Sequence, residues 1–165
     1  MRRIIQGAVL ILVVGTLLFF LFPRNIFTLV LREQQSKREL ARCTVRPADE
    51  IVFSWIHSAE FIPWVEHFVI QDDGSFLLKK FAVAGFGAGI PENKGVVSLQ
   101  DGMVVMDQLN QHFDRIRWIH SQTALVSITV AGASFITGEE VEHHIPVELY
   151  CKGIGTIWPR LALTK

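Results

Sequence analysis

Five residues with chemically useful side chains fall within an eleven-residue window: His57, Ser58, Glu60, Glu66 and His67. They belong to FSWIHSAEFIPWVEHF, residues 53–68, which also holds Trp55 and Trp64, two of the four tryptophans in the chain. Imidazoles and carboxylates held together can bind a metal ion or transfer a proton, provided the backbone folds back to join them. Strand-like runs flank the window and Pro63 turns it, so the stretch predicts a hairpin with the polar groups at its closed end. The spacing matches no established zinc pattern. Two readings stay open: a polar hairpin end whose His and Glu groups bond to turn amides, and a small-ligand or metal-binding site built on His57, Glu60 and Glu66.

A covalent mechanism would need a base within reach of a nucleophile, and His57-Ser58 and His120-Ser121 are the candidates. Adjacent residues on a strand point to opposite faces, so neither dipeptide forms that dyad alone. No catalytic set is recognised. Trp55-Ile56-His57-Ser58 recurs as Trp118-Ile119-His120-Ser121, but the flanks FSWIHSAEF and RIRWIHSQT do not match, so the recurrence reads as coincidence rather than as a repeat.

Gly85, Gly87 and Gly89 alternate, which places three missing side chains on one strand face and predicts a flat groove for an aromatic ring. Trp55 or Trp64 would fill it. A phosphate loop would need a helix to open after the glycines, and Ile90-Pro91 starts one poorly, so no nucleotide cofactor is expected. The acidic, His-rich segment 138–144 (GEEVEHH) reads as a solvated loop, since adjacent histidines on a strand cannot easily share one ion. Cys43 and Cys151 are the only cysteines. Outside the cytoplasm they permit one disulfide closing a loop of about a hundred residues, worth up to ~4–5 kcal/mol in the chain-entropy model. That pairing requires the strand holding Cys43 to lie beside the last strand.

The elements that position these groups are short strands. Residues 26–31 (IFTLVL) have the composition of a first strand, followed by EQQSKRELARC, where helix propensity competes with a hairpin. Pro47-Ala48-Asp49 marks a turn, and the alternation of Ile51, Phe53 and Trp55 predicts a strand with one buried face. Residues 64–70 return, Asp72-Asp73-Gly74-Ser75 turns, and residues 76–84 follow as the next strand. Residues 96–99 and 103–106 flank an Asp-Gly turn at Asp101-Gly102. A short helical turn is expected over residues 107–115, then strands at 117–119, 124–130, 134–136 and 147–151. Many close strands with no long helical pattern predict an all-β fold, a single antiparallel β-sandwich or barrel-like domain.

Ahead of this domain, Arg2 and Arg3 precede an uncharged run over residues 4–22. As a helix it would span roughly 28 Å, close to the ~30 Å hydrocarbon core of a bilayer. The run is long for a signal peptide and no small-x-small cleavage site follows it, which favours an uncleaved transmembrane anchor. Residues 1–23 are therefore expected to be the membrane anchor, 24–46 a juxtamembrane basic segment with the first strand or strands, and 47–165 the β domain continuous with them. The chain is neutral overall, but residues 24–46 carry six basic side chains against two acidic ones, and residues 47–165 carry eight against fourteen. The basic part suits anionic lipid, whereas the acidic remainder argues against a nucleic-acid partner. Arg2 and Arg3 favour an inside N-terminus and Arg24 with Arg32 oppose it; a large domain can translocate regardless, so the C-terminal domain is placed outside.

At His57-Ser58-Ala59-Glu60, Pro63-Trp64-Val65-Glu66 and Phe86-Gly87-Ala88-Gly89-Ile90-Pro91, the chain resembles the bacterial family called domain of unknown function 1850. Members look like small proteins with an N-terminal hydrophobic segment, often encoded beside TRAP-type transporter permeases of the TAXI group. The resemblance implies a single-pass inner-membrane protein whose periplasmic β domain is an accessory or interaction subunit, with a transporter permease as partner. It implies no enzymatic activity, cofactor or metal. The residues expected to bind or interact are His57, Ser58, Glu60, Trp64, Glu66, Gly85, Phe86, Gly87 and Gly89.

Overall fold

The computed structural model describes residues 25–85 and 94–153. The expected anchor over residues 1–23 and the site residues Phe86, Gly87 and Gly89 lie outside the described residues. Among the described residues, no helix is long and apolar enough to cross a membrane.

The fold is all-β. Eleven strands follow one another: β1 (Phe27–Glu33), β2 (Glu39–Val45), β3 (Glu50–Ile56), β4 (Pro63–Ile70), β5 (Phe76–Val83), β6 (Val96–Gln100), β7 (Met103–Phe113), β8 (Ile116–Ile119), β9 (Leu125–Val130), β10 (Ala133–Thr137) and β11 (Pro146–Gly153). A four-stranded sheet has the order β2-β1-β11-β8, and a seven-stranded sheet the order β10-β9-β3-β4-β5-β7-β6. Every pairing is antiparallel. The sheets form an open, sandwich-like pair because each carries apolar side chains at alternate positions on one face. Phe27, Leu29 and Leu31 of β1, with Val147 and Leu149 of β11, meet Ile51 and Phe53 of β3 and Phe68 and Ile70 of β4 in one buried cluster. A second cluster, Phe81 and Val83 of β5 with Val104 and Met106 of β7, contains no residue of the four-stranded sheet.

Turn chemistry sets the registers. Asp101 and Gly102 both have positive φ (51° and 78°), the two-residue geometry that matches strand twist. Gly74 (φ 84°) lets the β4–β5 turn pass close to Phe27, whose ring would lie 3.1 Å from an added Cβ. The Asp73 carboxylate accepts a bond from the Ser75 amide at 2.8 Å, fixing the same turn.

One local expectation is corrected and one open alternative is decided. Residues 107–115 form no helical turn: β7 continues to Phe113 and pairs with β5 along its length. Its register shifts between Leu78 and Lys80, and Gln108 and Asn110 take positive φ at that bulge. Phe113 returns to the main core against Phe68, ring centroids 5.8 Å apart, and that burial outweighs local helix propensity. Of the two readings open for the segment after β1, the hairpin is the one formed, with Lys37 in the left-handed region and Ala41, Cys43 and Val45 directed at the core.

The disulfide that the two cysteines would permit is not formed. Cys43 and Cys151 are free and both face the core, one on each side of Leu29: Leu29 pairs with Cys43 in β2 and with Cys151 in β11. The intervening β1 holds their backbones two strand spacings apart, about 9–10 Å, beyond the roughly 4.4–6.8 Å a disulfide spans. Burial, and secondarily the neighbouring Cys43, pushes the Cys151 thiol up to about 12, and burial with Asp49 raises Cys43. Both thiols therefore stay protonated and inert at neutral pH. Denatured without reductant, the chain should titrate as two thiols, and dithiothreitol should leave the melting temperature unchanged. One thiol or none, with a reductant-sensitive melt, would show that β1 yields to let them pair.

Candidate functional site

The predicted hairpin exists, and its strand alternation decides what its polar groups can do. In the β3–β4 ladder Phe53 pairs with Glu66, Trp55 with Trp64, and Val52 with His67. Directly opposed residues share a face, so Phe53, Trp55, Trp64 and Glu66 point inward and His67 points out. Outside, His67 Nδ1 meets Glu50 Oε1 at 2.8 Å. Inside, Trp55 Nε1 donates to Glu66 Oε2 at 3.0 Å. The Trp64 indole N–H lies near the same carboxylate but closes no bond of good geometry. Burial pushes the Glu66 carboxyl above its usual range, and the two indoles only partly offset that.

Aromatic rings surround this carboxylate. Phe53 stacks on Trp55 at 5.6 Å and meets Phe68 and Trp118 edge-on at 5.5 and 5.7 Å. Trp64 sits edge-on to Phe81 at 4.8 Å, and the His57 ring stacks on Trp64 at 5.4 Å and 11°. The loop between the strands is closed by His57 N–H to Ile62 O and Phe61 N–H to His57 O, both 2.8 Å. His57 Nδ1 accepts the Glu60 amide at 3.3 Å, so the imidazole orders the turn. Ser58, Glu60 and Phe61 are exposed.

The expected residues do not converge. Glu66 faces inward, Glu60 projects from the loop, and His120 lies at the end of β8 in the other sheet, fully buried. His120 Nε2 donates to Gly138 O at 2.8 Å, while desolvation keeps the ring neutral at physiological pH. Ser121 shares its hydroxyl with Thr123 at 3.0 Å, so His120 and Ser121 form no dyad. The two Trp-Ile-His-Ser copies nevertheless meet: Trp55 and Trp118 cross at 5.9 Å and 90°, one from each sheet. Gly85 follows β5, and an added Cβ there would lie 2.8 Å from Ile62 Cδ1, so the space beside it is taken by Ile62 rather than by a tryptophan. His143 and His144 are exposed in a turn, not on a strand, and their rings approach to 3.7 Å. Among the described residues, no three His, Cys, Asp or Glu side chains are placed to hold a metal ion. A shallow depression of about 380 Å³ is lined by Gln122, Thr123, Leu125, Val126, Thr137 and Glu139, none of them an expected site residue.

One polar centre had no signal in the sequence. Glu148 of β11 is only 3% exposed and is bonded by Arg32 Nε at 2.7 Å, Arg115 Nη1 at 3.3 Å and Arg117 Nε at 3.3 Å, with Lys37 Nζ at 3.9 Å. Arg32 and Arg115 also cover the Tyr150 ring at 4.5 and 4.8 Å. Burial alone would raise the carboxyl, but bonds from Arg32, Arg117 and Arg115 hold it down at about 2. These partners are 31 to 116 residues away in sequence, so no local spacing reveals them.

The two carboxylates respond oppositely to pH. Glu66 has a folded pKa above its unfolded value, so it favours folding when protonated and costs stability as pH rises past that range. The E66Q variant, which keeps an acceptor for Trp55, should therefore gain thermal stability over the parent on going from pH 4 to pH 8; a loss at pH 8 would mean that the charged form is required. Glu148 stabilises above its unfolded pKa, and this is lost as pH falls towards 2. E148Q should cost about 2 kcal/mol in urea unfolding at neutral pH, discounted for partly exposed arginines, with the gap closing in acid.

The family model for Domain of unknown function (DUF1850) matches residues 51–135, from β3 into β10, which covers the hairpin and most of the seven-stranded sheet. No curated protein and no solved structure matches the chain. With more than half its length matched, including the strands that carry Trp55, Trp64 and Glu66, the chain belongs to the DUF1850 family.

Proposed function

We propose that this chain is a membrane-anchored interaction protein whose β domain, outside the cytoplasm, recognises a partner by strand addition. The observation that carries this reading is β6. It is the terminal strand of the seven-stranded sheet among the described residues, and Val96, Val97 and Leu99 are 54%, 42% and 73% exposed. Edge strands are usually guarded by charge or proline, and Val96–Gln100 carries neither. Such an edge suits an extended segment of another chain, whose backbone would bond to the free side while its side chains meet the exposed valines and leucine. The seating of His120 in the other sheet, bonded to Gly138 O and apart from the hairpin, supports surface recognition over a shared pocket.

In this reading residues 4–22 form the anchor in the inner membrane, and the partner is a TRAP-type permease of the TAXI group, as the family resemblance implies. A photo-crosslinking residue at Leu99 of the full chain, in native membranes, should yield an adduct containing permease peptides, and adding V97K on the same strand face should cut that adduct about tenfold. A chain that remains an uncrosslinked monomer, or crosslinks equally from Ser134, would overturn it.

The alternative, a small-ligand domain, has one observation in its favour. An inward carboxylate ringed by Trp55, Trp64 and Phe53 has the chemistry that holds an organic cation. A thermal-shift series with tetramethylammonium and divalent metals separates the readings, since only this one expects stabilisation that E66Q abolishes.

A further inference from the structure

The four-stranded sheet has an outer face whose composition differs from the rest of the molecule. Register fixes its members. Thr28 pairs with Lys152, Val30 with Tyr150 and Arg42, and Arg32 with Glu148, which pairs in turn with Arg117. These share one side of the sheet, because the intervening Leu29, Leu31, Val147 and Leu149 fill the core. Arg115, stacked on Tyr150, and Lys37, from the β1–β2 turn, join them. Six basic side chains thus share a face with two acidic ones, Glu148 and Glu39. Glu148 already answers several cations at once, so surplus positive charge is directed outward: Arg42 is 74% and Arg117 59% exposed. Ile119, which pairs with Pro146 on the same face, is 73% exposed. Elsewhere the sign reverses, and residues 47–114 carry three lysines against ten carboxylates.

From this geometry we infer that the outer face of the β2-β1-β11-β8 sheet lies against the anionic headgroups of a phospholipid bilayer. The inference rests on the anchored reading above and adds the orientation of the domain. The apolar run ends at Phe22 and β1 begins at Phe27, so the four residues between them, five Cα-to-Cα steps, set a reach of at most about 17 Å between bilayer and sheet. Screening confines attraction to within about 8 Å of a charge at physiological salt. The basic residues are spread along β1, from Lys152 beside Thr28 to Lys37 in the turn beyond Arg32, with Arg117 level with Arg32 across the sheet, so a sheet lying flat brings all of them within that range. A sheet standing upright would bring only the Lys152 end. Tyr150 and Ile119 supply the aromatic and apolar contacts that interfacial surfaces favour. The acidic sheet, with β6 at its edge, is then turned away from the lipid and open to a partner.

The test uses the full chain reconstituted in vesicles of phosphatidylcholine alone, or with phosphatidylglycerol at about one third, a content that attracts juxtamembrane basic residues. Lysines are acylated with a neutral reagent, arginines are modified with phenylglyoxal, and both are read by mass spectrometry. Lys152, Lys37 and Arg117 should be protected about fivefold in the anionic vesicles only, in line with the attraction expected per basic residue, and high salt should remove the protection. Lys79, exposed on the other sheet, should react equally in both. Equal protection with and without phosphatidylglycerol, or none, overturns the inference, and retention of the chain through an alkaline carbonate wash would show that anchoring survives that failure. If carbonate strips the chain, anchoring fails, and the face is judged by flotation. Flotation with anionic vesicles only, weakened by R42Q/K152Q, which leaves the Glu148 cluster intact, supports it; no flotation overturns it.

Discussion

The contact on which this fold depends is the meeting of Phe53 with Trp118 across the two sheets. Phe53 stands on an interior strand of the seven-stranded sheet, fully buried, and Trp118 reaches it from β8 at the edge of the four-stranded one. Trp55 closes the triangle, each ring within 6 Å of the other two. Edge-to-face geometry fixes orientation as well as distance, so this cluster sets the separation and the slide of the sheets. It also determines the environment of Glu66. Trp55 can donate to the carboxylate only because Phe53 and Trp118 hold its indole in place. The hairpin's most unusual ionisable group is thus a consequence of sheet packing and not of the hairpin alone.

A second consequence concerns what the hairpin offers to the outside. Its loop is held by main-chain bonds and by the acceptance of the Glu60 amide by His57, so its histidine is engaged in structure. What remains exposed at the tip is Phe61, in a left-handed conformation, beside Ser58 and Glu60. Together these three leave an aromatic ring, a hydroxyl and a carboxylate exposed at the loop tip.

The strands were largely legible from residue order because alternation and turn chemistry are local. Ile51, Phe53 and Trp55 announce a one-faced strand, and Asp101-Gly102 announces a turn, without knowledge of any neighbour. Legibility failed where a distant partner decides. Residues 107–115 look helical until β5 pairs with them and Phe113 finds Phe68. The cysteines look pairable until β1 lies between them. Within the site, the hairpin and its polar residues could be read from the chain, but the inward direction of Glu66 depends on register, and one residue of slip would have put His67 in its place. The Glu148 cluster was invisible for the same reason, since Arg32, Arg115 and Arg117 reach it only after three separate strands are set side by side.

The position of β1 also has a mechanical meaning. It is the first strand described and is held on both flanks, by β2 over six paired residues and by β11 over seven. A pull on the chain upstream of Asn25, directed along the strand, loads both ladders lengthwise. Their hydrogen bonds then share the force and must give way together, whereas a strand at a sheet edge pulled sideways would open one bond at a time. The domain is therefore built to resist tension applied along its first described strand, with Phe27, Leu29 and Leu31 locked into the core as additional catches against sliding.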